Sequence, residues 1–590
     1  MILKSAREGA LMRLLRPILV FIVLTIVAAC APSRPTATSG GDRPASGGQP
    51  ASGQSRTLII AGRAELPSLS PNPLQALGFT TGSALKVFNA GLTLSDGRAA
   101  RPYLAEAVPQ LDTDSWRVFP DGKMETTYKL RPNLVWHDST PLTPEDFIFA
   151  RQVYSVPRLG YSTSPPYVFI DDIVAADDRT LVIKWNQPYF DAGALDIGEG
   201  SSSRVMPALP RHILGQPFAS GDMDTFATLP FWNAEYVGLG PFKLEHWEPG
   251  SHYDAVAFEQ HALGRPKIDR LRLRFISDFN AGVAAMLAGD VHINFDDSLR
   301  HQQGLILQRE WGPRNAGTVL MYPGLWRWDQ IQQRPELAQP RGLMDVRVRK
   351  ALAHSVDKAG INEALFEGQG IMSETMIPST VDYFADLDRE VPKYPYDLRR
   401  TEQLMNEAGF TRGADGIFVD PAGARFTTDL AVLQSPVNES EMSISAAGWR
   451  LAGFDVREVV WPAVAARDAE LRNTHPGISG TGGRNGANSL ADHASPRIPT
   501  PQNRWIGSNR SGWVAPAEFD RLAAAFPITL DRAERTRMII EMAKVFSDNS
   551  PVISLYFSPT VTAFVSSLTG PAIPAGDASQ AWNIHEWELR

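Results

Sequence analysis

Two short signatures in this chain have the spacing for acyl transfer. Ser355-Val-Asp-Lys358 sets a serine hydroxyl one helical turn from a lysine, and Ser547-Asp-Asn549 has the S-D-N form. That chemistry also needs a Lys-Thr-Gly element. No lysine follows Lys544, so none can follow Ser547. There is no G-x-S-x-G elbow, no H-E-x-x-H and no G-x-x-x-x-G-K-[ST] phosphate loop. Gly480-Thr-Gly-Gly-Arg-Asn-Gly486 misses the dinucleotide fingerprint because Asn485 holds its last position. The 11 histidines are scattered singly, without the H-x-H, H-x-x-H or H-x-x-x-H spacing that puts two imidazoles on one metal, so no metal site or resident cofactor is expected. A paired-carboxylate hydrolase leaves no motif, because its spacing exists only in space. A surface hydrolase of peptides or glycosides therefore stays open as the alternative to a binding protein.

The single cysteine excludes an internal disulfide framework. Its position is informative. Lys4, Arg7, Arg13 and Arg16 precede an apolar run from Pro17 to Ala29, which is too short to span a bilayer comfortably and reads as the core of a secretory signal. The run ends in Val27-Ala28-Ala29-Cys30, which resembles the lipobox of bacterial lipoproteins. That resemblance makes residues 1–29 a signal peptide and Cys30 a lipidated first mature residue. Residues 30–56 are rich in Pro, Gly, Ser and Thr. Too apolar-poor to offset chain entropy, they read as a flexible tether.

The 590 residues suggest three to four domains at roughly 150 residues each. Apolar residues are 43% and charged residues 21%, ordinary for a globular chain, and the formal charge of -8 argues against a nucleic-acid partner. Strands are predicted at Thr57–Ala61, Glu125–Leu130, Leu271–Ile276 and Pro551–Phe557, where β-branched or alternating residues cluster. Thr143-Pro144-Glu145-Asp146 is a helix start: Thr143 caps, Pro144 suits the first turn and Asp146 completes the box. Asp345 opens a helix expected to run to about Leu365. Asp397 opens another that Gly409 ends, and Met538, Ile539, Met542, Val545 and Phe546 share one helical face. Helices and strands interleave, so the mature chain is α/β.

Several of these elements together resemble one family. Tyr128-Lys-Leu-Arg-Pro-Asn-Leu-Val-Trp-His-Asp-Ser-Thr-Pro-Leu-Thr-Pro-Glu-Asp-Phe147 is similar to the signature of the peptide/nickel class of solute-binding proteins of ABC importers, with Ser139 where that family usually has glycine. Val237-Gly-Leu-Gly-Pro-Phe242, Leu263-Gly-Arg-Pro-Lys-Ile-Asp269 and Ala281–Asp290 continue the likeness. So do Asp345–Asp357, Tyr396–Arg400, Glu407-Ala-Gly-Phe410 and Ala581-Trp-Asn-Ile-His585. The residues of these motifs read as structural: Trp136, His137 and Asp138 as a turn before the capped helix, Gly238 and Gly240 as backbone geometry.

The resemblance implies a two-lobed periplasmic-binding-protein type II fold with an extra subdomain in the first lobe. The expected boundaries are lobe one at 57–277, with its inserted subdomain at about 96–195, lobe two at 278–550, and a return to lobe one at 551–590. It implies a monomer that captures a peptide, sugar or metal chelate between its lobes and delivers it to ABC permease and ATPase subunits. The protein would sit outside the cytoplasm, on the membrane through Cys30, with import or receptor-like signalling as the outcome. Candidate ligand-binding residues are Glu65 after the first strand, Trp326 and Trp328 as aromatic platforms, and Arg484, Asn488 and Asp492 in the Gly/Asn-rich stretch Ile478–His493. That stretch lacks the aromatic–Asp pair with which peptide binders of the family usually hold a ligand amine.

Overall fold

Gly317–Ile331 and Val552–Val565, the two longest strands among the described residues, pair antiparallel along most of their length. Val552–Val565 is rich in Val, Thr and aromatic residues, and Gly317–Ile331 carries Tyr322, Trp326 and Trp328, which suit a pleated ribbon. The computed structural model describes residues 57–590 except 73, 75–81, 163–164, 198–203, 296–297, 504, 506 and 576–577. The expected signal peptide, Cys30 and the tether lie outside the described residues.

The long ribbon has two halves. Gly317–Tyr322 lies against Thr560–Val565, and Trp326–Gln330 lies against Val552–Phe557. The register shifts between Pro323 and Trp326, and Pro323 faces Pro559. Proline cannot donate to a ladder, so both strands weaken at the same level. Each half joins a different set of strands. On one side Phe564 pairs with Ile293, beside the parallel strands Thr57–Gly62 and Arg270–Phe275 and the hairpin Phe242–Glu248/His252–Ala257. On the other, Ile478–Gly483 runs antiparallel to Trp326–Ile331 and is followed by the parallel pair Thr427–Leu433 and Asp455–Trp461. The result is one 11-stranded sheet serving two lobes. A separate four-stranded antiparallel sheet, with outer strands Trp116–Val118 and Ile170–Ala175, forms a subdomain on the first lobe. The architecture is the two-lobed α/β one expected.

The apolar cores show where the chain changes lobes. Leu58, Ile60, Phe88, Tyr128, Trp185, Leu271 and Trp587 share the first-lobe core. The helices Phe279–Ala288 and His301–Trp311 supply Val283, Met286, Leu307 and Trp311 to a cluster with Ala61, Val561 and Ala563 of the same lobe. Along the ribbon the change of lobe lies at Pro323–Leu325 on one strand and at Ser558–Pro559 on the other. The crossings lie inside continuous strands, so no break in sequence pattern marks them.

The helix Pro144–Tyr154 begins where its cap predicts, with Asp146 Oδ2 accepting the Thr143 N–H at 3.0 Å. The helix expected from Asp345 to Leu365 is two helices, Val346–His354 and Lys358–Phe366. Asp357 separates them by accepting the Gly360 N–H at 2.8 Å, which starts a new helix. The same break removes the S-x-x-K chemistry. The buried Ser355 hydroxyl donates to Ala351 O, and Lys358 Nζ lies 2.8 Å from Glu374. Ser547 donates to Pro392 O.

The Trp-His-Asp signature is a clasp. His137 Nδ1 accepts the Gly238 N–H at 3.2 Å, so Nε2 carries the ring proton and donates to Gly240 O at 3.0 Å. Burial pushes the His137 pKa down to about 4, keeping the ring neutral. A Cβ at Gly238 would meet Phe88 O at 2.1 Å, and one at Gly240 would meet Asn89 N at 2.3 Å. The two glycines let this loop touch the end of the helix Gly82–Phe88. Two distant motifs are thus one structural unit.

Candidate functional site

Ligands of open α/β sheets bind beyond the carboxyl ends of the parallel strands. Thr57–Gly62 runs parallel to Arg270–Phe275 and Ile293–Asn294, and their carboxyl ends lead into Arg63–Pro67, Asp278–Phe279 and Phe295–Arg300. In the second lobe the strands Thr427–Leu433, Asp455–Trp461 and Ile478–Gly483 end at Gln434, Pro462 and Arg484. Gly483 pairs with Trp326, the first second-lobe residue of the ribbon, so this edge adjoins the crossing. Asn485 Nδ2 donates to Gly324 O at 2.5 Å, fastening the edge to the crossing itself. The carboxyl ends of the two strand sets thus meet at the level of Pro323–Leu325.

Glu65 is the best-formed candidate on the first-lobe rim. Its carboxylate accepts Trp247 Nε1–H at 2.5 Å and the Gly250 N–H at 3.0 Å, tying the post-strand loop to the hairpin tip Trp247–Ser251. Beside it lies an open groove of about 380 Å³ lined by Glu65, Leu66, Pro67, Asn233, Trp247 and Pro249. That volume is within the range of small-ligand sites, and its make-up, mostly apolar with a few convergent polar groups, is the usual one. Tyr253 hydroxyl accepts the Leu66 N–H at 2.6 Å and fixes the groove floor. Nearby on the same rim, the guanidiniums of Arg63 and Arg300 lie 5.2 and 5.3 Å from the centroid of the Phe279 ring.

The second-lobe candidates separate. Arg484 and Asn488 are exposed, at the strand end and on the short helix Ala487–Ala491. Asp492 follows that helix, 3.6 Å from Arg497. Burial raises its pKa against the pull of Arg497 and Arg484. Trp326 and Trp328, expected as aromatic platforms, are 1% and 7% exposed. Their rings stack at 4.3 Å under His493, and Trp326 Nε1 donates to Ser554 Oγ. They are core residues, packed in one apolar cluster with Leu490, Ala494, Trp513, Met542 and Phe546.

The second-lobe edge is held from below by a buried ion pair that the sequence did not suggest. Arg327 donates from Nε to Glu441 Oε2 at 3.1 Å and from its terminal nitrogen to Oε1 at 2.8 Å and Asn438 Oδ1 at 2.9 Å. Tyr556 hydroxyl donates to Glu441 Oε2 at 2.5 Å. Burial opposes the Arg327 charge, but Glu441 and Tyr556 outweigh it and raise its pKa. Asp329, two residues on, is pushed up to about 8 by burial and by Glu441. No local pattern foretells the Glu65–Trp247 or Arg327–Glu441 contacts, whose partners lie 182 and 114 positions apart. Among the described residues no group of three or more His, Cys, Asp or Glu side chains is arranged to hold a metal, and no helix is long and apolar enough to cross a membrane.

Comparison with known proteins agrees with this geometry. The family described as bacterial extracellular solute-binding proteins, family 5 Middle, matches residues 106–489. An ABC transporter peptide-binding protein of Brucella ovis is 26% identical over 308 residues, 50% of this chain and 51% of that protein, so the match spans about half the relative's length. The oligopeptide-binding protein of Thermus thermophilus, solved with a pentapeptide, superposes with a TM-score of 0.69 at 21% identity, covering 90% of this chain and 96% of that one. NikA of Brucella suis, solved with Fe(III)-EDTA, gives 0.72 at 16% identity over 90% of this chain and all of that one, 100%.

Proposed function

Because the chain belongs to the bacterial extracellular solute-binding proteins of family 5, we propose that it captures a peptide-like or other polar solute between its lobes and hands it to an ABC permease, held outside the cytoplasm by lipid on Cys30. The observation that carries the reading is the paired crossing at Pro323 and Pro559, which joins two separately packed lobes whose strand ends meet at its level. A solute that touches both rims gains its full contacts only when the lobes approach, so it draws the population toward the closed form, which the permease reads. Glu65 and Trp247 supply the first wall and Arg484 and Asn488 the second. Family likeness supports binding over hydrolysis, and the displaced Ser355, Lys358 and Ser547 give a hydrolase no nucleophile–base pair.

The test is native mass spectrometry of the full chain purified from its own host, beside Glu65→Gln. The wild-type protein should carry a small solute. In Glu65→Gln an amide NH₂ must face either Trp247 Nε1–H or the Gly250 N–H, and solute occupancy should fall about tenfold or more for one charge-assisted hydrogen bond lost. Solute retained unchanged by the variant removes Glu65 from the site, and turnover of peptides or glycosides by the wild type defeats the binding reading.

A further inference from the structure

The first-lobe subdomain also touches the second lobe, through residues outside the two crossing strands. Its 3-10 turn Phe190–Gly193 is seated by Tyr128, whose hydroxyl donates to Ala192 O at 2.6 Å. Phe190 packs against the second-lobe cluster that contains Trp513, Phe519 and Phe526. Its ring centroid is 5.2 Å from that of Phe526 at an interplanar angle of 58°. Leu530 of the second lobe makes the opposite insertion, packing against the first-lobe core. One cation serves both. The Arg535 guanidinium lies 4.5 Å from the Phe190 centroid, and its terminal nitrogen donates to Thr529 O at 2.9 Å and Leu530 O at 2.7 Å. It caps Phe190 while fixing the loop that presents Leu530. Asp191 beside Phe190 favours the charge on Arg535 against the cost of its burial.

None of these groups lines the Glu65 groove, and none belongs to the crossing. We propose that Phe190, Phe526, Leu530 and Arg535 form a latch that stabilises the approach of the lobes independently of solute. A two-state equilibrium shifts only through contacts that differ between its states. These contacts can exist only while the lobes are near, so they set the fraction of empty protein already closed, and through it the apparent affinity for any solute. The inserted subdomain is thus a clamp on the opposite lobe as well as an outer layer of its own.

The test reads interlobe distance without solute. Spin labels are placed at Asp178→Cys in the subdomain and Glu518→Cys in the second lobe, both exposed, in full-length protein carrying Cys30→Ser and freed of bound solute by unfolding and refolding. Double electron–electron resonance on the parent should show a substantial short-distance population. Phe190→Ala should lower the short-to-long ratio about tenfold, the combined worth of one aromatic pair and one partly desolvated cation–π contact, and Arg535→Ala, which keeps the aromatic pair, should lower it about three- to fivefold. The double variant should add little to Phe190→Ala, since that change already removes the ring on which Arg535 sits. Arg535→Ala alters only the second lobe, so it carries a shift of the same direction if Phe190→Ala fails to fold. A folded variant of either kind with an unchanged distance distribution overturns the latch.

Discussion

Removing Arg327 should cost far more than its partial exposure suggests. The side chains of Arg327 and Glu441 are 15% and 1% exposed, and two of their atom pairs lie at 2.8 and 3.1 Å. At an effective dielectric near 20, unit charges about 3 Å apart attract by roughly 6 kcal/mol, against a desolvation cost of several kcal/mol for each ion. The pair is therefore close to neutral as a whole but expensive to halve. Arg327→Met leaves the Glu441 carboxylate buried with Tyr556 as its remaining donor and should cost about 3–5 kcal/mol. Adding Glu441→Leu removes the stranded charge and should recover about 2–3 kcal/mol, with the Tyr556 hydroxyl left unpaired as the residue of the damage. Hydrogen exchange is the assay, because Arg327 pairs with Gly482 and the strand Ile478–Gly483 reports its loss directly. Protection there should fall roughly a hundredfold to a few thousandfold in the single variant and recover by about thirty- to a hundredfold in the double one. A single-variant cost under about 1 kcal/mol, or costs that simply add in the double, would refute the account of a coupled buried pair.

Three further outcomes follow from other residues. Ser139 occupies a left-handed conformation with φ 72° in the turn closed by its N–H to Trp136 O, so Ser139→Gly should raise stability by about 0.5–1 kcal/mol in urea unfolding. Asp329 has a folded pKa of about 8 against an ordinary 3.8. It binds a proton in the folded state that the unfolded chain has released, so its contribution is complete below about pH 4 and is lost as pH rises toward 8. Asp329→Asn should flatten that slope and gain roughly 2–4 kcal/mol at pH 8 relative to pH 5, measured by denaturant midpoints at the two pH values. Cys30→Ser should fold and bind solute normally yet move from the membrane fraction to the soluble one, and continued membrane association would count against the lipidation reading.

Local chemistry is what the sequence by itself determined. Asp146, Asp357 and Asp397 each accept backbone N–H groups of their own turn, so caps are written within three residues of what they cap. The break at Ser355–Asp357 was in principle open to such reading, since Asp357 and Gly360 stand in cap and first-turn positions. The family motifs likewise carried the fold, because His137, Gly238 and Gly240 are needed where two loops and a helix end touch. Tertiary structure decided the rest. Trp326 and Trp328 alternate with Arg327 as a strand with one exposed face would, and only the helical residues packed on them, Leu490, Met542 and Phe546 among them, turned platforms into core. The crossing at Pro323 and Pro559 is invisible along either strand alone, since its weakness arises from two prolines facing each other across the ribbon. Glu65 with Trp247 and Arg327 with Glu441 are each joined within one lobe, and Phe190 with Arg535 between the two. A contact between residues hundreds of positions apart has no local dihedral preference to announce it; packing alone brings its partners together.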